Sequence, residues 1–387
     1  MQFLSKTVLK KFINSEIKSI GFDENYSKFA INKHIFLSIK IFDVSSKQAN
    51  IIKQTALSCG CDCAVHKGVI DCSIEKSDCI LSGTVSQIDA IAKKLYNQPF
   101  SLSNLANELL EHIEKEKQIP KRSKIMGILN LSDDSFSDGG EFSNIEKAIN
   151  HAVDMIEQGA DIIDIGAQAT NPNSELIDIA KEIEKIIPIL TALKMAYPNT
   201  LVSVDTMNLS CAQEVIKAGC DIINDVSFLD NLEFAKLCAK NNKKLVIMHS
   251  RGNPKTMDKL TDYNNIVDDI YKELANKTDL ALSQGLNRDD IIIDLGFGFA
   301  KNIEQNFTLL NRINEFKSLG YPILAGVSRK RFLQDVINTR NPKDADIQTL
   351  LAVNWLIEQK IEYIRVHNVE LIEQARKFND RLFVFNS

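Results

Sequence analysis

Cysteine is scarce for a chain of this length: eight in 387 residues. That is too few for a disulfide framework, and a reducing, cytoplasmic compartment is expected. Only 8 prolines and 16 glycines are present, among 44% hydrophobic and 25% charged residues. Collagen, chain-wide disorder and coiled coil are thereby excluded. No run approaches the roughly 18 apolar residues of a membrane span. The opening MQFLSKTVLKKF has no apolar core long enough for a secretory signal. Arginine clusters and aromatic-basic platforms are also missing. Residues 1–124 carry 18 basic and 13 acidic side chains, against 28 and 38 in the remainder. Without such a platform the basic front end is read as solvated surface, and no nucleic-acid or membrane partner is expected.

The length suits more than one domain. EHIEKEKQIPKRSK (111–124) is highly charged, contains Pro120 and has no sustained apolar face after Ile113. It reads as a helix end and a linker, dividing a small domain (1–115) from a large one (125–387) by a connection at 116–124. In the first part FLSIKIF (36–42), AVHKGVIDCSI (64–74) and DCILSGT (78–84) are strand-like. QANIIKQTAL (48–57), VSQIDAIAKKL (85–95) and LANELLEHI (105–113) have helical spacing, which makes a small α/β domain. Cys59, Cys61, Cys63, Cys72 and Cys79 fall here. C-x-C-x-C is not paired zinc spacing, so they are read as small apolar fillers.

Beyond the linker, apolar runs of strand character recur eight times: IMGILNL (125–131), DIIDIGA (161–167), TLVSVDT (200–206), DIINDVS (221–227), KLVIMHS (244–250), IIIDLGF (291–297), PILAGVS (322–328) and YIRVHNV (363–369). Helical segments alternate with them, among them IEKAINHAVDMIEQG, CAQEVIKAG and NFTLLNRINEFKSLG, each closed by a glycine suited to a C-cap. Eight such units in some 260 residues predict a (β/α)8 TIM barrel in preference to a doubly wound open sheet.

In such barrels chemistry gathers at the carboxyl ends of the strands. Those ends carry Asn130, Gln168 with Thr170, Asp205, Asn224, His249, Asp294, Ser328 with Lys330, and Arg365 with His367. One polar residue at a strand end is ordinarily a helix cap; a whole ring of them is a site. A carboxylate facing an amidine-like N–C–NH₂ edge forms a strong two-pronged hydrogen bond. Asp205, Asn224 and Asp294 therefore suit a nitrogen heterocycle. Arg365, His367 and Lys330 suit a phosphate or diphosphate. Asn130 and Asp138 are hard oxygen ligands for Mg²⁺ shared with phosphate. Phe297 and Phe299 in GFGFAKN (296–302) supply an aromatic wall, and the segment lacks the third glycine of a dinucleotide fingerprint.

MGILNLSDDSFSDGG (126–140), SVDT (203–206), INDV (223–226), MHSRGNPKTM (248–257), DLGFGFAKN (294–302), GVSRK (326–330) and IRVHNV (364–369) together resemble the dihydropteroate synthase family, in the family's order and over essentially all of 125–387. The resemblance implies condensation of 6-hydroxymethyl-7,8-dihydropterin diphosphate with p-aminobenzoate, giving 7,8-dihydropteroate and pyrophosphate. It implies that Asp205, Asn224, Met248, Asp294 and Lys330 hold the pterin, and that Asn130, Thr170, Arg365 and His367 hold the diphosphate, Asn130 through Mg²⁺. Phe299, Ser328 and Lys330 would line the aminobenzoate pocket. Arg365, His367 and Lys330 would be catalytic, and the protein a homodimer. The pattern departs from the family at Asp133 and Leu295, where proline is usual, at Gln168 and Asn171 in GAQATNP (166–172), and at Ala300 for glycine. Two other functions are alternatives: methyl transfer from a methyltetrahydrofolate to a corrinoid protein, and non-catalytic pterin binding.

Overall fold

The computed structural model describes residues 4–117, 122–131, 141–167, 178–252 and 256–384. The chain divides into two compact units, with the boundary between Ile119 and Pro120.

Two short helices, α1 (Ile13–Ser19) and α2 (Glu24–Ile31), precede the elements read from the sequence. There follow β1 (Phe36–Ser45), α3 (Ser46–Ser58), β2 (Asp62–Val65), β3 (Lys76–Thr84), α4 (Val85–Leu95) and α5 (Leu102–Lys117). The strands pair antiparallel in the order β1-β3-β2. Twice a strand passes straight into a helix through a reciprocal capping box, Ser45 with Gln48 and Thr84 with Gln87, which satisfies orphan N–H groups without a connecting loop. Ile39, Ile52, Leu81, Ile88, Ile91 and Leu109 lie in the core, with Cys63 and Cys79 buried as small fillers among them.

Two expectations need correction in this unit. The 64–74 segment is strand only as far as Val65. His66 Nδ1 then accepts the Gly68 N–H at 3.1 Å and a 3₁₀ turn buries Val69, so a turn does what an alternating strand was expected to do. The helix expected to end before 116 continues to Lys117. Its charged last turns are helix formers held by ion pairs, Lys115–Glu111 and Lys10–Glu116. Loss of an apolar face does not end a helix.

The second unit is a closed barrel of eight parallel strands in the order β10-β11-β4-β5-β6-β7-β8-β9. They are β4 (Lys124–Asn130), β5 (Ile162–Gly166), β6 (Leu201–Asp205), β7 (Ile222–Asp225), β8 (Lys244–Met248), β9 (Ile291–Asp294), β10 (Ile323–Ala325) and β11 (Tyr363–Val366). Around them run α6 (Glu141–Glu157), α7 (Ile179–Ala196), α8 (Leu209–Lys217), α9 (Glu233–Asn241), α10 (Ile266–Ser283), α11 (Ile303–Asn311), α12 (Arg331–Asp335), α13 (Asp346–Glu358) and α14 (Val369–Val384). Seven of the eight strands fall within the runs read from the sequence, and β4 begins one residue earlier, at Lys124. The helical segment 306–320 is split, however: α11 stops at Asn311 and a 3₁₀ helix covers Ile313–Leu319. Gly159, Gly219 and Gly320, the glycines closing three of these segments, all have positive φ.

Successive residues of a strand face opposite sides, and that parity sorts the barrel. Ile163, Ile165, Val202, Val204, Ile223 and Ile364 face the helices in the main core. Met126, Ile162, Ile222, Val246, Ile292, Leu324 and Tyr363 form a separate apolar plug inside the barrel. Among the described residues no helix is long and apolar enough to cross a membrane.

A buried guanidinium sits at the amino ends of β4 and β5. Arg376 donates to Glu373, to Asp161 and to the carbonyls of Ser123 (3.2 Å) and Gly159 (2.9 Å). Asp161 also accepts the Ile125 N–H at 2.8 Å, which ties α14 to the starts of β4 and β5. Removing one partner of a buried pair strands the other. Arg376→Met is therefore expected to lower stability by about 3–5 kcal/mol in urea unfolding, with part recovered when Glu373→Gln is added.

Candidate active site

Two residues beyond the plug, on the same inward face, apolar gives way to polar on four strands. Asp164 follows Ile162, Asn224 follows Ile222, Asp294 follows Ile292 and Arg365 follows Tyr363, while β8 stays apolar with Met248. One further step of two along β6 is Asp205.

Arg365 is the hub of this layer. Its Nε donates to Asp164 Oδ2 at 2.6 Å and its Nη2 to Asp205 Oδ2 at 3.1 Å. Asn224 Nδ2 donates to the same Asp164 oxygen at 3.2 Å. Asp164 is fully buried. Burial works against the Arg365 charge, but the two carboxylates outweigh it and raise its pKa. Burial pushes the Asp205 carboxyl up to about 7, although Arg365 pulls it down. Asp294 is pushed up to about 6 by burial, opposed by the Gly296 N–H that its Oδ1 accepts at 2.7 Å and by Lys330. Lys330 is pulled down to about 8 by burial and by Arg365, while Asp294 and Asp205 support its charge. Its Nζ sits 4.2 Å from the centre of the Phe299 ring, a cation–π contact.

Asp205, Asn224, Met248, Asp294, Phe299, Lys330 and Arg365 line one cavity, together with Val226, Phe297 and Gly326. Ser328 and His367 stand beside it as a pair. The His367 N–H donates to Ser328 Oγ at 3.2 Å, and Ser328 Oγ lies 2.9 Å from His367 Nδ1. Burial, Arg365, Arg329 and Lys330 depress His367 to about 3. The sequence reading grouped His367 with the cations; in the folded site it is a neutral hydrogen-bonding imidazole. Asn130 ends β4, exposed, in register with Gly166 and, through it, with Asp205. Thr170 and Asp138 lie outside the described residues, as do Asp133, Gln168 and Asn171.

Sequence reasoning missed Asp164. Its signal was present: an acid in the middle of the apolar run DIIDIGA, at inward parity, two residues before the strand end. His249, expected in the ring of strand-end residues, does not line the cavity and belongs to a second cluster. His249 Nε2 meets Glu273 at 2.9 Å, its Nδ1 meets Lys301 Nζ at 3.0 Å, and Arg251 pairs with Glu273. Burial and Lys301 depress His249 to about 4. Burial pulls Lys301 down to about 7 against the support of Asp294 and Glu273. Ala300, where the family has glycine, takes a left-handed conformation (φ +49°), a strain of about 1–2 kcal/mol for a residue with a Cβ.

The family model described as "Pterin binding enzyme" matches residues 126–367. A dihydropteroate synthase of Synechocystis is 39% identical over 264 residues, covering 68% of this chain and 91% of the relative. The chain belongs to the dihydropteroate synthase family. A Clostridium difficile dihydropteroate synthase, solved in the presence of pteroic acid, superposes with a TM-score of 0.64 at 36% identity, covering 68% of this chain and 98% of that one. A probable bifunctional folylpolyglutamate synthase/dihydropteroate synthase of Haloferax volcanii is 32% identical over 348 residues, covering 84% of this chain and 41% of the relative. That alignment is longer than the barrel unit and therefore runs into the N-terminal one.

The raised Asp205 makes a prediction of its own. Between the ordinary carboxylate pKa near 4 and about 7, the folded protein holds a proton that the unfolded chain releases. Stability from this group therefore falls as pH rises through that window. Asp205→Asn is expected to lose this pH dependence, so that urea unfolding at several pH values shows a shallower fall in stability between about pH 4 and 7 than wild type.

Proposed function

We propose that the barrel unit joins 6-hydroxymethyl-7,8-dihydropterin diphosphate to p-aminobenzoate, releasing pyrophosphate and forming 7,8-dihydropteroate. The observation that carries this reading is the cavity itself, in which two carboxylates, Asp205 and buried Asp294, face two cations, Arg365 and Lys330, beside an aromatic wall. Such a set holds a flat heterocycle with donors and acceptors by one part and an anionic group by another.

In this reading Asn224, Asp294 and Lys330 bind the polar edge of the pterin and Met248 packs on its face. Asp205 closes the ring edge opposite. Arg365 and neutral His367 bind the diphosphate, and Phe299, Ser328 and Lys330 receive the aminobenzoate. The C–O bond to the diphosphate breaks and its electron pair leaves with that group. The arylamine lone pair then forms the new C–N bond, and the amine proton passes to solvent. An arylamine is weakly basic and needs no strong general base. Rate therefore comes from stabilising the departing anion by Arg365 and the cationic methylene carbon by Asp205 and Asp294, and from holding amine and carbon in line.

A divalent cation fits this chemistry. Asn130 offers one hard amide oxygen at the rim, suited to Mg²⁺ whose other ligands are phosphate oxygens and water, and Asp138 is its expected companion. Bound there, Mg²⁺ would supply Lewis-acid neutralisation of diphosphate charge. A reducing cytoplasm suits the eight unpaired thiols.

We also read the unit as a homodimer. On α13, Ala352, Val353, Leu356 and Ile357 are buried, yet Ile347 and Leu351 on the opposite face are 65% and 64% exposed and Trp355 is 38% exposed. A helix apolar on both faces has two partners. Phe378 on α14, 61% exposed, is a further large apolar group left at the surface.

Pyrophosphate and dihydropteroate are expected from the purified chain with Mg²⁺ and both substrates, falling at least about 100-fold in Asp205→Ala. Tight pterin binding without product would instead favour a non-catalytic pterin-binding protein. Leu351→Glu is expected to convert a dimer to a monomer in light scattering; a wild-type monomer would remove the dimer reading.

A further inference from the structure

We infer that Lys301 is a positioning residue for the aminobenzoate wall, acting as an internal cation around which the loop after β9 is folded. The inference rests on the synthase reading above and concerns how Phe299 is held.

Lys301 is 8% exposed, and its own side chain does not line the cavity. Its Nζ donates to the carbonyls of Gly296 (2.9 Å) and Phe299 (2.8 Å) and to His249 Nδ1 (3.0 Å). An ammonium has three N–H donors and no acceptor, so all three are used. Within the loop, φ is positive at Gly296 (+65°), Gly298 (+78°) and Ala300 (+49°). Left-handed residues at alternate positions let carbonyls converge on one point, and the point here is the ammonium. At Gly296 a Cβ would lie 1.9 Å from the His249 carbonyl oxygen, so the loop is pressed against the end of β8.

The rest of the cluster fixes the ammonium. Because His249 Nδ1 accepts from Lys301, the imidazole proton is on Nε2 and donates to Glu273 Oε2 at 2.9 Å. Glu273 also pairs with Arg251, whose guanidinium lies 3.9 Å from the centre of the Tyr263 ring. Tyr263 OH in turn donates to the Ala300 carbonyl at 3.1 Å. Three carbonyls of the loop, at 296, 299 and 300, are thus held from behind. In front, the loop carries Phe297, which packs on Phe332, and Phe299, which lies under Lys330. Replacing Lys301 would leave the pterin groups on β6 and β7 in place and release Phe299.

The test is steady-state kinetics of the full-length chain with both substrates, together with calorimetric binding of the pterin diphosphate. Lys301→Met is expected to raise KM for p-aminobenzoate at least about fivefold, and Tyr263→Phe about two- to threefold, with the pterin diphosphate Kd unchanged within about twofold. Should Lys301→Met fail to fold, Tyr263→Phe, which removes one partly exposed hydroxyl, decides alone. A lowered melting temperature with an unchanged aminobenzoate KM overturns the inference, as does an equal loss for both substrates. No dihydropteroate from wild type overturns the synthase reading, and this proposal falls with it.

Discussion

Everything in the barrel's mouth depends on a guanidinium taken out of water. Arg365 sits inside a closed parallel sheet, where a lone charge would be very unfavourable, and it persists because Asp164 and Asp205 flank it. The arrangement sets the neighbouring electrostatics. With Asp164 on Nε, the Nη side of the guanidinium points toward Asp205. The same positive charge helps to hold Lys330 and His367 below their ordinary pKa values. The site is thus a balanced set of charges, each stabilised by the others and none fully solvated. A ligand bearing both a polar ring and an anion can exchange with those internal partners without leaving a charge stranded.

The barrel separates stability from chemistry along each strand. Toward one end the apolar plug fills it; two residues further on, the same faces carry the polar layer. A switch of two residues is all that divides core from site, because strand side chains repeat every two residues. The loop after β9 adds a second level of support, in which a buried ammonium replaces apolar packing as the organiser of five residues. Ala300 makes that support more consequential here, since a residue with a Cβ holds a left-handed conformation that glycine would adopt freely. The N-terminal unit is a separate construction with its own core, and part of it has a counterpart in the longer Haloferax protein.

Much of this was legible in the chain itself. Runs such as DIIDIGA, DIINDVS and IIIDLGF fixed eight strands in a buried parallel sheet, since only strands covered on both faces are apolar at consecutive positions. The residues at their ends placed Asp205, Asn224, Asp294 and Arg365 in one cavity, because parallel strands bring all their carboxyl ends to the same side. The family blocks added chemistry to that geometry. The short strand ending at Val65 and the prolongation of α5 to Lys117 were not legible in the same way. There a turn hydrogen bond and surface ion pairs, neither of them periodic, decide where the element stops.

The sequence by itself determined the barrel, the ring of polar strand ends and the family, because each is written in local periodicity or in contiguous motifs. Tertiary structure alone decided that Asp164 and Asp205 share one guanidinium, that His367 is neutral, and that Lys301, His249, Glu273 and Tyr263 share one network. Those facts depend on distance and on desolvation between residues far apart in the chain, and no spacing along the sequence encodes either.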